Sequence, residues 1–96
     1  MKIPETIKIS GHIYTVKIVT DRIAQDGSHN PASSWQKNNT IWIDGAQCQQ
    51  RQETSLMHEI LEMIDYDFGL KFEHNVINTL ETALYQVLKD NNLLRE

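Results

Sequence analysis

The sequence contains a single cysteine and no long apolar run. The single cysteine, Cys48, excludes an internal disulfide and a zinc site built from several cysteines. No apolar run approaches the ~20 residues of a membrane-spanning helix. The N-terminal segment MKIPETIKIS also lacks the apolar stretch of a signal peptide. We therefore expect a cytoplasmic protein with no membrane partner.

Positive charge is also scarce. The chain has 9 Lys and Arg residues against 13 Asp and Glu residues, for a formal net charge of −4, and its basic residues form no cluster. Binding to nucleic acid depends largely on Lys and Arg contacts with phosphates, so we expect no nucleic-acid partner. A chain of 96 residues has room for one hydrophobic core, and we expect a single domain over residues 1–96.

The first half of the chain has the alternation of β-strands. TIKIS and HIYTVKIV flank the turn residues Ser10 and Gly11, which predicts a hairpin, and TIWID at 40–44 predicts a third strand. The polar segment between them, residues 21–39, contains Gly, Pro, Asn and Ser. We expect it to be a long loop that is the most mobile part of the chain and borders a cleft.

The second half has helical periodicity. Apolar residues recur on one face from about residue 55 to Phe68, Gly69 is a typical helix stop, and a second periodic segment runs from Glu73 to Asp90. The sequence thus predicts an α+β fold, with a three-stranded antiparallel sheet followed by two amphipathic helices packed on one face of it. The residues expected to be largely buried in the helices are Leu56, Ile60, Ile64, Leu80, Leu84 and Val87.

The first helix contains the segment HEILE, which differs by one residue from the H-E-x-x-H signature of zinc peptidases. His58 and Glu62 are four residues apart and project from one side, nearly opposite the apolar face. In the signature the two outer side chains bind zinc, and the glutamate corresponding to Glu59 activates water for catalysis. A carboxylate at Glu62 can also bind zinc, but it favours harder ions such as Mn²⁺ or Mg²⁺.

A simpler interpretation of HEILE is an exposed His–Glu pair, which stabilises a helix by roughly 0.2–0.5 kcal/mol. A third ligand would favour a metal site instead. The second helix offers Glu81 at the edge of its apolar stripe, with His74 and Tyr85 at similar angles. Glu81 is our first choice and His74 the alternative.

The segments ETSLMHEILEMIDYDFGL and ETALYQVLKDN resemble those of a family of small zincin-like metallopeptidases encoded by phages and prophages, and the opening IPETIKISGHIYTVKIV resembles that family's first hairpin. The resemblance implies a minimal zincin-like core in a bacterial host cell. It implies that His58 is the first metal ligand, Glu59 the catalytic glutamate, and that Glu62 stands where the family has its second histidine ligand.

Three functions are compatible with these features. The resemblance and Glu62 together predict a degenerate metallopeptidase with weak or lost hydrolysis, which holds a peptide along an exposed strand edge. An alternative is a non-enzymatic phage accessory protein that binds a host or phage polypeptide through the same cleft. A third is a structural protein that makes a homomeric contact through the strand face bearing Trp42.

Overall fold

The computed structural model describes residues 2–20 and 31–94, and it confirms the α+β class. Its elements are β1 (Thr6–Ile9), β2 (His12–Val19), β3 (Ala32–Trp35), a short 3-10 helix (Gln36–Asn38), β4 (Thr40–Asp44), α1 (Gln49–Phe68) and α2 (His74–Asp90). The strands form one sheet, and α1 packs across it.

The predicted hairpin is present in β1 and β2. The two strands pair antiparallel from Ile9 opposite His12 outwards, so the turn has only two residues. Ser10 and Gly11 have φ angles of 54° and 83°. Positive φ at both central positions matches the right-handed twist of the flanking strands, and glycine adopts it at little cost.

The sheet differs from the predicted one in size and direction. It has four strands in the order β1-β2-β4-β3, and β4 runs parallel to β2 while the other pairs are antiparallel. The prediction of three antiparallel strands was therefore wrong. The added strand, β3, has the sequence ASSW, which lacks the β-branched alternation that identifies a strand. Its existence makes the expected loop at 21–39 wrong for residues 32–35, and the 3-10 helix follows at 36–38. Residues 21–30, on which the mobility prediction also depends, lie outside the described residues.

The hydrophobic core lies between α1 and the facing side of the sheet. It consists of Ile9, Tyr14, Val16, Ile41, Ile43, Leu56 and Met63. Leu56 and Met63 are seven residues apart on α1 and so lie on the same side of the helix. Burying a side chain such as Leu56 contributes roughly 1.5–3 kcal/mol, so this face anchors α1 to the sheet.

The second helix packs mainly on α1, whereas both helices were expected to pack on the sheet. Within α2, all of which is described, Ile77 alone is buried. Leu84 and Val87 are 38% and 47% exposed, so the prediction that they are largely buried was wrong. A helix that packs against one neighbouring helix covers one narrow stripe, and the apolar face of α2 is wider than that stripe.

The other four predicted core positions are less exposed than Leu84 and Val87. Leu56 is buried as expected, whereas Ile60, Ile64 and Leu80 are half-buried. Ile60 and Ile64 still pack against the core. Neither described helix combines the length and the apolarity that crossing a bilayer requires.

The connection between the helices determines how they face each other. Gly69 ends α1 with φ 62° in the left-handed region, and its N–H donates to the carbonyl of Tyr66. Residues 70–73 then lead into α2. The side-chain bonds between the helices join His58 to Glu81 and the earlier Glu53 to the later Tyr85. The two helices therefore run antiparallel, and polar residues of both meet in one groove.

Candidate metal centre

Four of the side chains singled out in the sequence meet between α1 and α2. His58 and Glu62 are one turn apart on α1, and His74 and Glu81 are two turns apart on α2. None belongs to the hydrophobic core cluster. The side chains of His58 and Glu62 are 18% and 32% exposed, so the site is partly shielded from water but open on one side.

The His58 ring is held from both of its nitrogen atoms. Its Nδ1 lies 2.8 Å from Oε1 of Glu81, and its Nε2 lies 3.0 Å from Oε1 of Glu62. The bond to Glu62 raises the pKa of His58 to about 9, against the opposing effect of burial and with a further contribution from Glu81. The same bond lowers the pKa of Glu62. Without a metal, His58 is therefore protonated at neutral pH and forms an ion pair.

His74 approaches this pair on the Glu62 side. Its Nδ1 is 3.9 Å from Oε1 of Glu62, and the rings of His58 and His74 meet edge to face with centroids 5.5 Å apart. One ligand atom from each of His58, Glu62 and His74 lies within 4.8 Å of the other two. These three can converge on one ion after small side-chain rotations, which His74 can make readily because its side chain is 70% exposed.

The geometry distinguishes the two candidates for a third ligand. Glu81, the first choice from the sequence, contacts the ring nitrogen of His58 that faces away from Glu62. A carboxylate in that position typically orients a metal-binding histidine and fixes its tautomer. His74, the alternative, shares the cluster with His58 and Glu62. The arrangement favours His74 as a ligand and Glu81 as the orienting group.

The donor set fits a transition metal. Two imidazoles and one carboxylate form a set that catalytic zinc sites use, with a further coordination position left open. Imidazole donors suit zinc better than they suit Mg²⁺, which prefers oxygen. Glu62 therefore need not abolish zinc binding, because His74 can provide the second imidazole. Bound there, zinc would supply Lewis acidity, which polarises a carbonyl and lowers the pKa of water.

The predicted catalytic glutamate lies beside this cluster. Glu59 follows His58 on α1, and helical geometry turns it by about 100° from His58. It is only 3% exposed and contributes to the lining of the cleft. Its negative charge also adds to the raised pKa of His58. The protein thus brings a shielded carboxylate close to the candidate metal ligands.

The cleft itself has a volume of about 890 Å³ and lies between α1, α2 and β3. Residues 31–34, part of the segment expected to border a cleft, line one wall. Met63 and Ile77 provide apolar lining. This volume is in the range of ligand-binding clefts. In the described sheet β3 is an edge strand, so the wall is formed by an element to which an extended chain can pair.

A second polar contact between the helices was not expected. Glu53 is 3% exposed, and the hydroxyl of Tyr85 donates to its Oε1 at 2.7 Å. Lys89 donates to the same hydroxyl at 3.0 Å. The sequence analysis noted Tyr85 but not Glu53. Glu53 lies five residues before His58 on α1, and Tyr85 lies four residues after Glu81 on α2, so antiparallel packing brings them together. The two pairs together fix the register of α1 against α2.

Comparison of the chain with protein-family models, with curated proteins and with solved structures finds no match. The resemblance to phage zincin-like proteins therefore stays a prediction that depends on the sequence motifs.

Proposed function

We propose that this protein is a zincin-like polypeptide-binding protein of phage or prophage origin, whose cleft holds zinc through His58, Glu62 and His74 and retains at most weak peptidase activity. The observation that carries the proposal is the convergence of these three side chains beside Glu59. A solubilising His–Glu pair has no need of a second histidine from another helix, nor of a shielded carboxylate next to it.

Each side chain has a distinct role in this proposal. The ligands hold the metal, and Glu81 holds the His58 ring by its Nδ1 so that Nε2 faces Glu62. Glu59 accepts the proton of the attacking water as general base. The polypeptide lies in the cleft along β3, with main-chain hydrogen bonds to that edge.

The second candidate is a polypeptide-binding protein that uses neither metal nor turnover. It is favoured by one observation: both nitrogens of His58 already have carboxylate partners, and its pKa is raised to about 9. The hydrogen-bonding capacity of the His58 ring is thus satisfied by the protein alone. A metal would have to displace the His58 proton at neutral pH. Homomeric contact through Trp42 has less support, because Trp42 is buried and packs edge to face against the exposed Trp35, with ring centroids 4.6 Å apart.

A competitive zinc titration tests the metal site. The wild-type protein is compared with His58→Ala, His74→Ala and Glu62→His, and with His12→Ala as a control, since His12 is an exposed histidine on β2. For the first two variants we expect a loss of zinc affinity larger than the ~10–100-fold that removal of an orienting group causes, and no change for the control. Glu62→His should bind zinc more tightly than the wild type, with less preference for Mn²⁺. Equal affinity in His58→Ala and the wild type would contradict the site.

A cleavage assay then separates the two candidates. Zinc-loaded wild-type protein and Glu62→His are incubated with an unstructured protein substrate, with Glu59→Gln as the control that keeps the metal ligands. Cleavage that disappears in Glu59→Gln supports a peptidase. Zinc binding without cleavage in either protein would leave the non-catalytic polypeptide-binding function as the better description.

A further inference from the structure

Charge is unevenly distributed along the cleft. The carboxylates of Glu59, Glu62, Asp65 and Glu81 contribute to its lining, whereas Arg51 is the only Lys or Arg among the described lining residues. Arg51 is exposed, and no ion pair joins it to any other residue in the described ranges 2–20 and 31–94. A guanidinium with no ion-pair partner among the described residues, at one end of an acidic cleft, can bind a carboxylate from a ligand.

The distance from Arg51 to the metal cluster follows from helix geometry. Arg51 and His58 are seven residues apart on α1, which places them about 20° apart around the helix and about 10 Å apart along it. Both therefore project into the same cleft. An extended peptide advances roughly 3.3 Å per residue, so the span corresponds to about three residues of a bound chain.

The direction of a bound chain follows from β3. The carbonyl of Pro31, just before β3, accepts from the N–H of Asp44 at 2.9 Å and from Nε2 of Gln47 at 3.2 Å. The start of β3 therefore lies beside the start of α1, where Arg51 is. A peptide that pairs antiparallel with β3, the slightly more stable arrangement, runs the opposite way. Its C-terminal part then lies at the Arg51 end of the cleft.

We propose that Arg51 binds a carboxylate of the polypeptide about three residues on the C-terminal side of the peptide bond that faces His58. The inference rests on the proposed polypeptide-binding function but not on metal binding or cleavage. The carboxylate belongs to an Asp or Glu side chain or to the C-terminus of the bound chain. Acidic residues nearer His58 would meet Glu59 and Glu62 and be repelled.

The other end of the cleft has a different character. Tyr66 and Phe72 line it and are 65% and 41% exposed. They lie beyond Glu62 on the side away from Arg51, so they face the N-terminal part of a chain bound in this direction. Aromatic side chains bind apolar groups with little dependence on charge. Tyr66 therefore provides a control, since its loss should weaken binding without altering any preference for carboxylates.

The test uses two synthetic pools of random decapeptides, one with a free C-terminal carboxylate and one amidated. Immobilised protein captures peptides in the presence of a chelator, and mass spectrometry identifies them. We expect the wild type to enrich Asp and Glu about fivefold at one position of the amidated pool, the upper end for an exposed ion pair, or else to favour the free-carboxylate pool. The first result assigns the carboxylate to a side chain, the second to the chain terminus.

Two variants of Arg51 and two controls complete the experiment. Arg51→Ala should remove the preference, and Arg51→Glu should replace it with enrichment of Lys and Arg. Tyr66→Ala should reduce capture and keep the acidic preference. Lys8→Glu makes the same change in charge as Arg51→Glu at an exposed position of β1, and it should leave the result as in the wild type.

The outcomes separate this inference from the function on which it rests. Peptides captured with no acidic preference, or with one that Arg51→Ala retains, would overturn the role of Arg51 and leave polypeptide binding intact. No capture of any peptide would overturn both. A failed zinc titration combined with an Arg51-dependent preference would overturn the metal site alone.

Discussion

The two sides of α1 make contacts of opposite chemical character. Towards the sheet, Leu56 and Met63 are 1% and 2% exposed and pack among apolar side chains. Towards α2, the directional contacts are His58 with Glu81 and Glu53 with Tyr85. One helix thus joins an apolar layer to a polar one.

The difference separates stability from positioning. Apolar burial has no preferred direction and supplies most of the free energy of folding. Hydrogen bonds between charged groups contribute less net free energy, but they require defined distances and angles. We therefore expect substitutions on the sheet side of α1 to affect unfolding, and those at the His58–Glu81 contact to affect ligand binding more than stability.

The largest expected effect is on the sheet side. Leu56→Ala should lower the free energy of unfolding by about 2–5 kcal/mol, because it removes buried methyl groups and leaves a cavity. Leu84→Ala on the exposed face of α2 is the matched control and should cost about 1 kcal/mol or less. Urea unfolding measures both. Equal losses in the two variants would show that α2 is as firmly packed as the sheet layer.

The next effect concerns Glu81. Glu81→Gln should reduce zinc affinity by about 10–100-fold, as loss of an orienting carboxylate does in metal sites, with little change in the urea midpoint. If Glu81 instead binds the metal directly and His74 does not, Glu81→Gln should weaken zinc as much as His58→Ala, and His74→Ala should have no effect. The titration therefore distinguishes the two assignments.

Stability without metal should depend on pH through His58. Its pKa is raised from 6.5 to about 9, so its contribution is complete below pH 6.5 and is lost as pH rises through 9. Glu62 has a lowered pKa, and its contribution is lost when pH falls below the usual carboxyl range.

Because the pair is partly open to water, we expect a loss of about 1–2 kcal/mol between pH 6 and 9.5, less than the shift alone implies. Urea unfolding at both pH values measures it, with His58→Gln as the control. The same slope in the control would show that other groups cause it. Zinc affinity should rise over this range, since the metal competes with the His58 proton.

The smallest effect is expected at the second polar contact. Tyr85→Phe leaves Glu53 without its hydroxyl donor and should cost about 1 kcal/mol of stability. Zinc affinity should change by less than twofold, because Tyr85 does not contact the metal cluster. A loss of zinc affinity comparable to that in Glu81→Gln would mean that the register of α2, and not the individual contact, controls the site.

The sequence was sufficient where local interactions decide the structure. The hairpin at Ser10 and Gly11, the end of α1 at Gly69 and the span of α2 were all predicted, since turn and cap preferences act within a few residues. The pairing of His58 with Glu62 likewise follows from one turn of helix. Glu81 was predicted as a third metal ligand, and its carboxylate lies 2.8 Å from Nδ1 of His58, although its role as a ligand stays a prediction.

Tertiary structure decided the features that depend on distant partners. The strand β3 has little intrinsic preference for extended structure and is defined by its pairing with β4. The apolar stripe of α2 indicated a helix, but only the packing on α1 determined that Leu84 and Val87 would stay exposed. Periodicity shows which residues share a face, and it does not show how much of that face is covered.

The same limit applies to the site. His74 and Glu81 are seven residues apart, so they share one side of α2 and no helical projection can separate their roles. Their roles depend on where α2 lies along α1, which the Glu53–Tyr85 contact and the connection at 69–73 determine. That position sets Glu81 beside Nδ1 of His58 and His74 beside Glu62. The sequence specified the chemical groups, and the packing of one helix on another assigned their positions, because an offset of one turn, about 5.4 Å, exceeds the reach of a hydrogen bond.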